Sequence, residues 1–303
     1  MSADRSEETR CGFVSVVGLP NAGKSTLINE LVGTKVSIVS SKVHTTRSRI
    51  LGIALHDQAQ IILIDTPGIF DAGGARTMEK AMVACALDAL EECEHIIHIV
   101  DAASKNPLNK NMDLIKKLPT GKPVILVLNK TDKVHKPDLL ALATSFNETF
   151  DYAATFMVSS LKGQGTKELL DHLAAQLKPG PWMYDEDQIT DLPMRMMAAE
   201  ITREKIFNQL HKELPYSAMV QTETWEEFDN GSIKITQLVF VERDSQKAIV
   251  LGKGGGRIKQ IGKAAREEMQ DIFGMPIHLK LFVKVEEKWA ERAENLREMG
   301  LIS

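Results

Sequence analysis

Cysteine is scarce in this sequence, and long apolar runs are absent from it. Cys11, Cys85 and Cys93 form no C-x-x-C pair, so neither a disulfide framework nor a zinc site is expected, and a reducing cytosol fits best. No apolar run approaches the ~20 residues that span a bilayer. The first ten residues are polar and include acids, which is typical of neither a secretory signal nor an amphipathic transit peptide.

An excess of basic charge is lacking as well. Lys and Arg number 37 against 41 for Asp and Glu, giving a net charge of −4 at pH 7. This balance excludes a chain that is basic throughout and confines any nucleic-acid surface to a local patch. The sequence has no internal repeat and no long low-complexity tract. Its 303 residues, 43% hydrophobic and 26% charged, indicate a soluble globular protein of about two domains.

The strongest motif is a glycine-rich segment near the amino terminus. Residues 18–25 fit the spacing G-x-x-x-x-G-K-[ST] of a phosphate-binding loop, between a predicted strand at 13–17 and a predicted helix at 26–32. Backbone N–H groups of such a loop surround phosphates. Lys24 is expected to reach the β and γ oxygens, and the Ser25 hydroxyl to bind Mg²⁺. The nucleotide-binding residues predicted here are Gly18, Leu19, Pro20, Asn21, Ala22, Gly23, Lys24, Ser25 and Thr26.

A second phosphate-binding element follows a strand predicted at 60–64. The element consists of Asp65, Thr66, Pro67 and Gly68. An acid at the end of a strand can hold Mg²⁺ through water, and the glycine lets a backbone N–H approach a γ-phosphate. Alone, such a tetrapeptide is typical of a turn. Its position about 40 residues after the first motif favours a joint phosphate and magnesium site.

Two later turns indicate the base. The first comprises Asn129, Lys130 and Asp132, and the second comprises Ser159, Ser160 and Leu161. The Asp132 carboxylate can accept hydrogen bonds from the N1–H and 2-amino groups of guanine, whereas adenine offers neither donor. Asn129 and Lys130 are expected to brace the base. The second turn can present a backbone N–H to the guanine O6, so the motifs together predict a guanine nucleotide site.

Strands and helices alternate through the first half of the chain. Strands are predicted at 13–17, 50–55, 60–64, 96–100, 123–128 and 155–158, and helices at 26–32, 76–91, 110–118 and 166–177. This order is typical of a doubly wound, mainly parallel α/β sheet, in which ligands bind at the carboxyl ends of strands. His98 is expected to be a core residue. Gly73 and Gly74 predict a flexible segment beside the nucleotide.

A different pattern begins after a linker predicted at 181–190. A Pro-Gly-Pro run at 179–181 leads into this linker, and an acidic run follows at 185–187. Helices are predicted at 192–210 and 286–299, and strands at 217–228, 233–242 and 277–285. These elements predict an α+β domain. Between its second and third strands lies a glycine cluster with basic neighbours.

That glycine cluster allows two interpretations. G-x-G-x-x-G can be extracted from it, but no crossover βαβ unit or ribose-binding acid accompanies it, which argues against a dinucleotide site. A G-x-x-G loop between two helices is typical of KH modules, which clamp four nucleotides of single-stranded RNA. All charges from 245 to 266 are positive, which suits phosphate contacts. The RNA-binding residues predicted here are Gly252, Lys253, Gly254, Gly255, Arg257, Lys259 and Lys263.

In order and spacing, the sequence elements resemble a translation-factor-class GTPase of the P-loop type, and the Era family in particular. The elements are residues 18–25, 44–48, 65–68, 129–132 and 159–161, with Thr45-Thr46-Arg47 and Pro20-Asn21 as the Era-like details. The resemblance covers essentially the whole chain. It implies a GTPase domain over 1–180, a linker over 181–190 and a type II KH domain with a C-terminal helix over 191–303.

The resemblance also implies the catalytic residues and cofactors. Lys24, Thr46, Asn21 and Gly68 are the implied catalytic residues, with GTP or GDP and Mg²⁺ as cofactors and Ser25, Thr46 and Asp65 as the Mg²⁺ residues. Thr46 is the implied switch threonine, with Thr45 as the alternative. Ile69 occupies the place of the glutamine that orients water in Ras-like enzymes, so slow hydrolysis is expected. Related GTPases with asparagine at the place of Asn21 can bind K⁺, which makes K⁺ stimulation a further hypothesis.

The family further implies a cellular role. Its members bind the 3′ end of 16S ribosomal RNA, act in maturation of the 30S subunit, and are cytoplasmic with peripheral association with the inner membrane. A monomer that binds RNA in its GTP state and leaves on hydrolysis is the expected form. A nucleotide-sensing RNA scaffold with negligible functional hydrolysis is the alternative. A tRNA-modifying GTPase has no support, because no redox or alkyl-transfer cysteine site is present.

Overall fold

Six runs rich in valine, isoleucine and leucine form a sheet in the first half of the chain. The computed structural model describes residues 8–40, 42, 45–68, 77–210, 218–298 and 301. Their contacts divide them into two units. The first takes in the described residues within 1–37, 46–75 and 79–191, and the second takes in those within 38–45, 76–78 and 192–303.

The first unit is a doubly wound α/β sheet. Its strands are β1 (Arg10–Val17), β2 (Ile50–His56), β3 (Ala59–Asp65), β4 (His95–Asp101), β5 (Val124–Asn129) and β6 (Ala154–Val158). Its helices are α1 (Lys24–Val32), α2 (Thr77–Glu92), α3 (Pro107–Ile115), α4 (Lys136–Thr149) and α5 (Thr166–Gln176). The strand order is β2-β3-β1-β4-β5-β6, with β2 antiparallel to β3 and every other pair parallel. The predicted, mainly parallel sheet is confirmed.

Alternating side chains of the strands supply two separate cores. Ile61 and Leu63 of β3 pack with α1 and α5 on one face, and Ile62 and Ile64 pack with α2, α3 and α4 on the other. A parallel sheet covered by helices on both faces needs apolar residues at nearly every strand position. This explains why the strands are continuous apolar runs in the sequence.

Helix α4 lies outside the helices that the sequence pattern predicts. Its signal is nevertheless present, because Pro137 lies in the first turn and Leu139 and Phe146, which are buried, stand seven residues apart. Helix α3 begins at Pro107 and ends at Ile115, three residues earlier at each end than the predicted 110–118. A proline in the first turn again marks the start.

His98 lies in the core, as predicted, within a buried polar cluster. Its Nδ1 lies 2.8 Å from the Tyr152 hydroxyl, and its Nε2 lies 3.1 Å from Oδ1 of Asn111. Asn111 donates through Nδ2 to the Pro107 carbonyl, which fixes the amide so that Nε2–H of His98 is the donor to Oδ1. Both nitrogens of the neutral ring are therefore satisfied, and burial lowers the pKa of His98 to about 4.

This cluster makes stability depend on pH. Because the folded pKa of His98 lies below the ordinary 6.5, the unfolded chain binds the extra proton first, and stability falls as pH drops through 6.5 towards 4. Between pH 7.5 and pH 5.0 we expect His98 to account for a loss of about 2 kcal/mol. Urea unfolding at the two pH values measures it. His98→Gln should lack this component, while a control change at exposed His278 should retain it; equal pH dependence in native protein and His98→Gln would contradict the assignment.

The second unit is an α+β domain. Its helices are α6 (Met194–Gln209), α7 (Asp244–Leu251) and α8 (Gly256–Phe273), and its strands are β7 (Met219–Glu227), β8 (Ile233–Val241) and β9 (Ile277–Val285). The sheet order is β7-β8-β9, with β7 antiparallel and β9 parallel to β8. Helices α6 and α8 pack on one face of the sheet. A short 3-10 turn, Lys253–Gly255, joins α7 to α8.

The end of the chain corrects one prediction. The single helix expected at 286–299 is wrong within the described residues. A 3-10 turn, Trp289–Glu291, is followed by a short helix, α9 (Ala293–Glu298). Trp289 is fully buried, and Lys288 before it adopts φ 53°. A large side chain that must enter the core and a left-handed residue beside it are incompatible with a continuous charged helix.

The segment expected to be a linker, residues 181–190, is held against the first unit. Ile53 donates its N–H to the Ile189 carbonyl at 2.9 Å, and Thr190 donates its hydroxyl to the Leu51 carbonyl at 2.7 Å. Pro181 and the acids at 185–187 are typical of a linker, but these hydrogen bonds show that the segment packs. Among the described residues, no helix combines the length and apolar character needed to cross a bilayer.

Candidate functional site

The predicted phosphate-binding loop joins β1 to α1. A Cβ built on Gly18 would lie 2.4 Å from the Ile99 carbonyl oxygen, and one built on Gly23 would lie 2.2 Å from Nδ2 of Asn129. Gly23 also adopts φ 106°, which disfavours other residues. The motif glycines are therefore required by close packing against neighbouring strand ends, and α1 begins directly after them at Lys24.

Lys24 lies inside this loop. Its side chain is buried, and Nζ donates to the carbonyls of Gly18 and Leu19, each at 3.1 Å. Burial lowers the pKa of Lys24 to about 8, although the neighbouring Asp65 acts in the opposite direction. The two carbonyls that accept hydrogen bonds from this buried ammonium are neutral, so binding of an anion beside it is favourable. The loop can therefore bind a phosphate at this point.

Three oxygen ligands converge beside the loop. Ser25 Oγ donates to Oδ2 of Asp65 at 2.7 Å and lies 3.0 Å from Oγ1 of Thr46, which lies 3.3 Å from the same carboxylate oxygen. Burial raises the pKa of Asp65, while the hydroxyls of Ser25, Ser37 and Thr46 and the positive charge of Lys24 act in the opposite direction. Oδ1 of Asp65 is buried and has no hydrogen-bond partner among the described residues. Hydroxyl and carboxylate oxygens with an unsatisfied buried acceptor fit a magnesium ion.

The turn after β3 contacts the same loop. Thr66 donates its hydroxyl to the Val16 carbonyl at 2.9 Å, and Pro67 is buried. A Cβ built on Gly68 would lie 3.0 Å from the backbone N of Pro20, so only glycine fits without displacement. The two predicted phosphate-binding elements thus lie side by side. Four residues of the predicted switch segments, namely His44, Ile69, Gly73 and Gly74, lie outside the described residues.

Asn129 joins the turn after β5 to the phosphate-binding loop. Its Nδ2 donates to the Ala22 carbonyl at 2.9 Å, and its Oδ1 accepts from the N–H and hydroxyl of Ser160 at 3.1 and 2.9 Å. The Asn129 side chain therefore links the phosphate-binding loop to the turn after β6. In this position it holds together the two turns to which the phosphates and the base are assigned by the sequence pattern.

Lys130 extends towards the same loop. It adopts φ 64°, and its Nζ donates to the Asn21 carbonyl at 2.8 Å and to Oδ2 of Asp101 at 2.6 Å. Asp101 belongs to none of the sequence motifs. Its position at the end of β4, level with Asn129 in β5, is the signal that could have revealed it.

Asp132 is held by the following turn. Its Oδ1 accepts a hydrogen bond from Ser159 Oγ at 2.7 Å, and Lys162 Nζ lies 3.9 Å from Oδ2. The Ser159 hydrogen bond lowers the pKa of Asp132, so the carboxylate is ionised at neutral pH. Leu161 is 78% exposed, so its side chain offers a ligand little, and any contribution comes from its backbone. A carboxylate fixed in this way can accept two hydrogen bonds from a guanine edge.

A separate loop in the second unit presents glycines to solvent. Gly252, Gly254 and Gly255 adopt φ 72°, 58° and 73°. A Cβ on Gly252 would lie 2.7 Å from Cβ of Arg257, whereas Gly254 and Gly255 have no atom within 4 Å of a built Cβ. Gly252 is thus needed for packing, and the open space at the other two lets a phosphate approach the backbone at the start of α8.

The predicted basic residues surround this loop. Lys253, Arg257, Lys259 and Lys263 are all exposed. Arg257 Nη1 donates to the Ile249 carbonyl at 2.8 Å, which ties the start of α8 to α7. The structure therefore brings the predicted RNA-binding residues together on one loop and one helix.

These features define a P-loop GTPase fold followed by a KH domain. Residues 13–130 match a family described as 50S ribosome-binding GTPase, and residues 213–290 match the KH domain. Two relatives called GTPase Era show the same extent of similarity. That of Sinorhizobium medicae is 52% identical over 97% of this chain and 94% of its own, and that of Agrobacterium fabrum is 50% identical over 98% and 93%.

Solved structures agree with the sequence comparison. An Aquifex aeolicus Era variant bound to GDP and aluminium fluoride has a TM-score of 0.89 and 38% identity, covering 97% of this chain and 100% of that one. Era in complex with MgGDPNP and nucleotides 1506–1542 of 16S ribosomal RNA has a TM-score of 0.90, 37% identity and the same coverage. The chain belongs to the Era family of GTPases. It is an enzyme that hydrolyses GTP to GDP and phosphate.

Proposed function

We propose that this GTPase binds the 3′ end of 16S ribosomal RNA through its KH domain and assists assembly of the 30S subunit under control of GTP. The observation that carries the proposal is the Gly252–Gly255 loop with its exposed basic neighbours, in a chain that also brings the predicted phosphate-binding and base-binding turns together. The similar Era structure that contains MgGDPNP and 16S ribosomal RNA supports it.

The phosphate chemistry is assigned to the loop after β1. Residues 18–26 hold the phosphates, Lys24 contacts the β and γ oxygens, and the backbone N–H of Gly68 approaches the γ-phosphate. Ser25, Thr46 and Asp65 would hold Mg²⁺, whose role when bound is to neutralise charge on the phosphate oxygens. The hydrogen bonds among these three oxygens, at 2.7 to 3.3 Å, support their assignment to one site.

Recognition of guanine is assigned to the turns after β5 and β6. Asp132 reads the N1–H and 2-amino groups, and a backbone N–H of the turn Ser159, Ser160 and Leu161 reads O6. The hydrogen bond of Ser159 to Asp132 at 2.7 Å orients the carboxylate before the base arrives. Such preorganisation reduces the entropy lost on binding.

A contact within the second unit supports a switch that responds to the nucleotide. Residues 38–45 belong to that unit. There Val39 donates its N–H to Oε1 of Glu204 at 2.8 Å, and Arg203 Nη2 donates to the Thr45 carbonyl at 2.6 Å. Thr45 is bonded directly to Thr46, the proposed Mg²⁺ ligand. A change at Thr46 on hydrolysis would therefore reach a segment that α6 holds.

The switch predicts that RNA affinity differs between nucleotide states. We expect tighter binding of a 16S 3′-end RNA with a non-hydrolysable GTP analogue than with GDP, by at least about fivefold, the lower range of measured allosteric couplings. Fluorescence anisotropy with the full chain in each state measures both dissociation constants. Equal constants would contradict a switch.

The scaffold alternative differs in how the protein leaves its RNA. Lys24→Ala removes the buried ammonium of the phosphate site. If hydrolysis times release, this variant should remain bound to ribosomal particles in sedimentation profiles, with Lys35→Ala outside the loop as a control. Release at the native rate would favour a scaffold whose hydrolysis has no function.

K⁺ stimulation is a separate proposal for the same site. Related GTPases with asparagine at the position of Asn21 can bind K⁺ where an arginine finger would otherwise place charge. We expect kcat to be about tenfold higher in KCl than in NaCl at matched ionic strength, below the 10³–10⁵ that an arginine finger supplies. Asn21→Ala should remove the difference. Equal turnover of the native protein in the two salts would contradict the proposal.

The finer cellular assignments belong to the same proposal. They are a monomeric form, a cytoplasmic location, a role in ribosome biogenesis and peripheral association with the inner membrane. Their support is membership in the Era family. Cross-linking in cells followed by sequencing of the bound RNA identifies the RNA partner directly.

A further inference from the structure

The three-stranded sheet of the KH domain has a second face, opposite the one covered by α6 and α8. Strand β9 alternates strictly: Ile277, Leu279, Leu281, Val283 and Val285 pack towards the core. The residues between them point the other way, and all are exposed. They are His278, Lys280, Phe282 and Lys284.

The parallel register extends this outer face across β8. Phe282 lies level with Leu238, Lys280 with Thr236, and Lys284 with Phe240. No residue of β8 or β9 that points outward is acidic, and both strands lie wholly within the described residues. On the neighbouring β7, Glu226 is paired with Lys234 at 2.9 Å. Thr236 and Phe240 of β8 are buried, so the accessible part of this face centres on Phe282, with the exposed Lys280 and Lys284 at its margins.

Phe282 is the distinguishing residue of this face. It is 54% exposed, although a phenylalanine in a strand ordinarily packs against a neighbour. A lysine stands two residues away on each side, about 6.6 Å along the strand, and Lys284 Nζ lies 5.6 Å from the Phe240 ring centre. An exposed ring between two cations matches an unpaired base flanked by phosphates, which is how proteins bind single strands without reading their sequence.

The loop that the proposed function assigns to RNA leads directly into α8, which packs against the inner face of β9. Strand β9 is the edge of the sheet. A bound chain can therefore pass from the inner face to the outer face by crossing this one strand. On the inner side, a Cβ built on Gly262 of α8 would lie 3.4 Å from Leu281. The next residue, Phe282, is on the outer side. An RNA strand that leaves the loop along α8 can therefore pass over this edge.

We propose that the outer face of β8 and β9, centred on Phe282, Lys280 and Lys284, is a second RNA subsite that stacks an unpaired base downstream of the segment held by the Gly252–Gly255 loop. This inference rests on the proposed function of the KH domain. It commits to single-stranded RNA as the occupant, because the ring and cations together suit a nucleotide better than an apolar protein surface.

The test compares two fluorescent RNAs from the 16S 3′ end, titrated against the full chain with Mg²⁺ and a non-hydrolysable GTP analogue. One of about six nucleotides fills the loop site, which clamps four; one of about twelve can also reach Phe282. Phe282→Ala should weaken the longer RNA by about 5- to 150-fold, the range that loss of one stacked base gives, and leave the shorter unchanged. Phe228→Ala, at another exposed phenylalanine in this domain, should change neither.

The contribution of Lys280 and Lys284 is tested by the salt dependence of RNA affinity. Lys280→Gln with Lys284→Gln should lower the slope of log Kd against log salt by about 1.4 for the longer RNA, since each lost phosphate contact removes about 0.7. Phe282→Trp should retain binding, because it keeps an aromatic face. That variant also shows that the position tolerates change without unfolding.

The outcomes separate this proposal from the proposed function. If the native chain binds neither RNA, the KH assignment fails. If both RNAs bind but Phe282→Ala leaves the longer one at native affinity, only the second subsite is overturned, in favour of a protein or membrane partner for this face. Equal weakening of both RNAs would also overturn it, because it would indicate a disturbed loop site.

Discussion

Replacing Asp132 by asparagine is expected to reduce affinity for GTP by about 10⁴-fold and to create affinity for xanthosine triphosphate. A site built to hydrogen-bond a particular group rejects a ligand that lacks it by 10⁴–10⁵. The native carboxylate accepts from two guanine donors. The amide oxygen of Asp132→Asn could still accept from N1–H, but its N–H₂ would face the guanine 2-amino group, so these two donor groups would both be unpaired. Xanthine carries a carbonyl there, so the same amide would pair with it.

Competition binding with GDP and xanthosine diphosphate measures the change. Asp138→Asn, at an exposed acid of α4, is a matched control and should bind GDP normally. Ser159→Ala should show a weaker effect, about tenfold, because it removes only the hydroxyl that fixes Asp132 at 2.7 Å. If Asp132→Asn bound neither nucleotide while remaining folded, the residue would have a structural role and would not read the base.

The nucleotide site was largely predictable, because its residues follow strand ends at fixed spacing. Parallel strands bring their carboxyl ends to one edge, so loops distant in sequence must meet there. The contact of Gly68 with Pro20 and the link from Asn129 to Ala22 follow from that geometry. The pairing of Lys130 with Asp101 was not predicted, since an acid that ends a strand has no partner that its own local sequence identifies.

Other features that the sequence pattern does not reveal depend on long-range packing. The chain turns into the core at Trp289, and that burial breaks a segment whose charges alone favour a helix. Residues 181–190 have a linker composition, yet the Ile189 carbonyl and the Thr190 hydroxyl form hydrogen bonds with the backbone of β2. Residues 38–45 cluster with the second unit although they lie within the first half of the sequence. In each case the local structure is determined by contacts with residues distant in sequence, and the local sequence pattern does not identify those residues.

Changing both Lys253 and Gly254 to aspartate is expected to abolish RNA binding while sparing GTP hydrolysis. The fold should tolerate the change, because a Cβ on Gly254 would meet no atom within 4 Å and aspartate is among the residues that accept φ near 58°. Two negative charges beside the approaching phosphates replace one positive charge. Each phosphate contact contributes to a steep, salt-dependent affinity, so we expect a loss of at least about 100-fold at physiological salt.

Anisotropy with the 16S 3′-end RNA and phosphate release from GTP measure the two activities on the same preparation. Lys253→Asn with Gly254→Asn is the matched control, because asparagine has the size and backbone demand of aspartate without its negative charge. This control should retain measurable RNA binding. It therefore distinguishes an effect of negative charge on RNA affinity from an effect of strain in the loop. Hydrolysis by the aspartate variant should stay within about twofold of native, since the loop belongs to the unit that lacks the nucleotide site. Loss of both activities together would mean that the division of labour between the two domains is wrong.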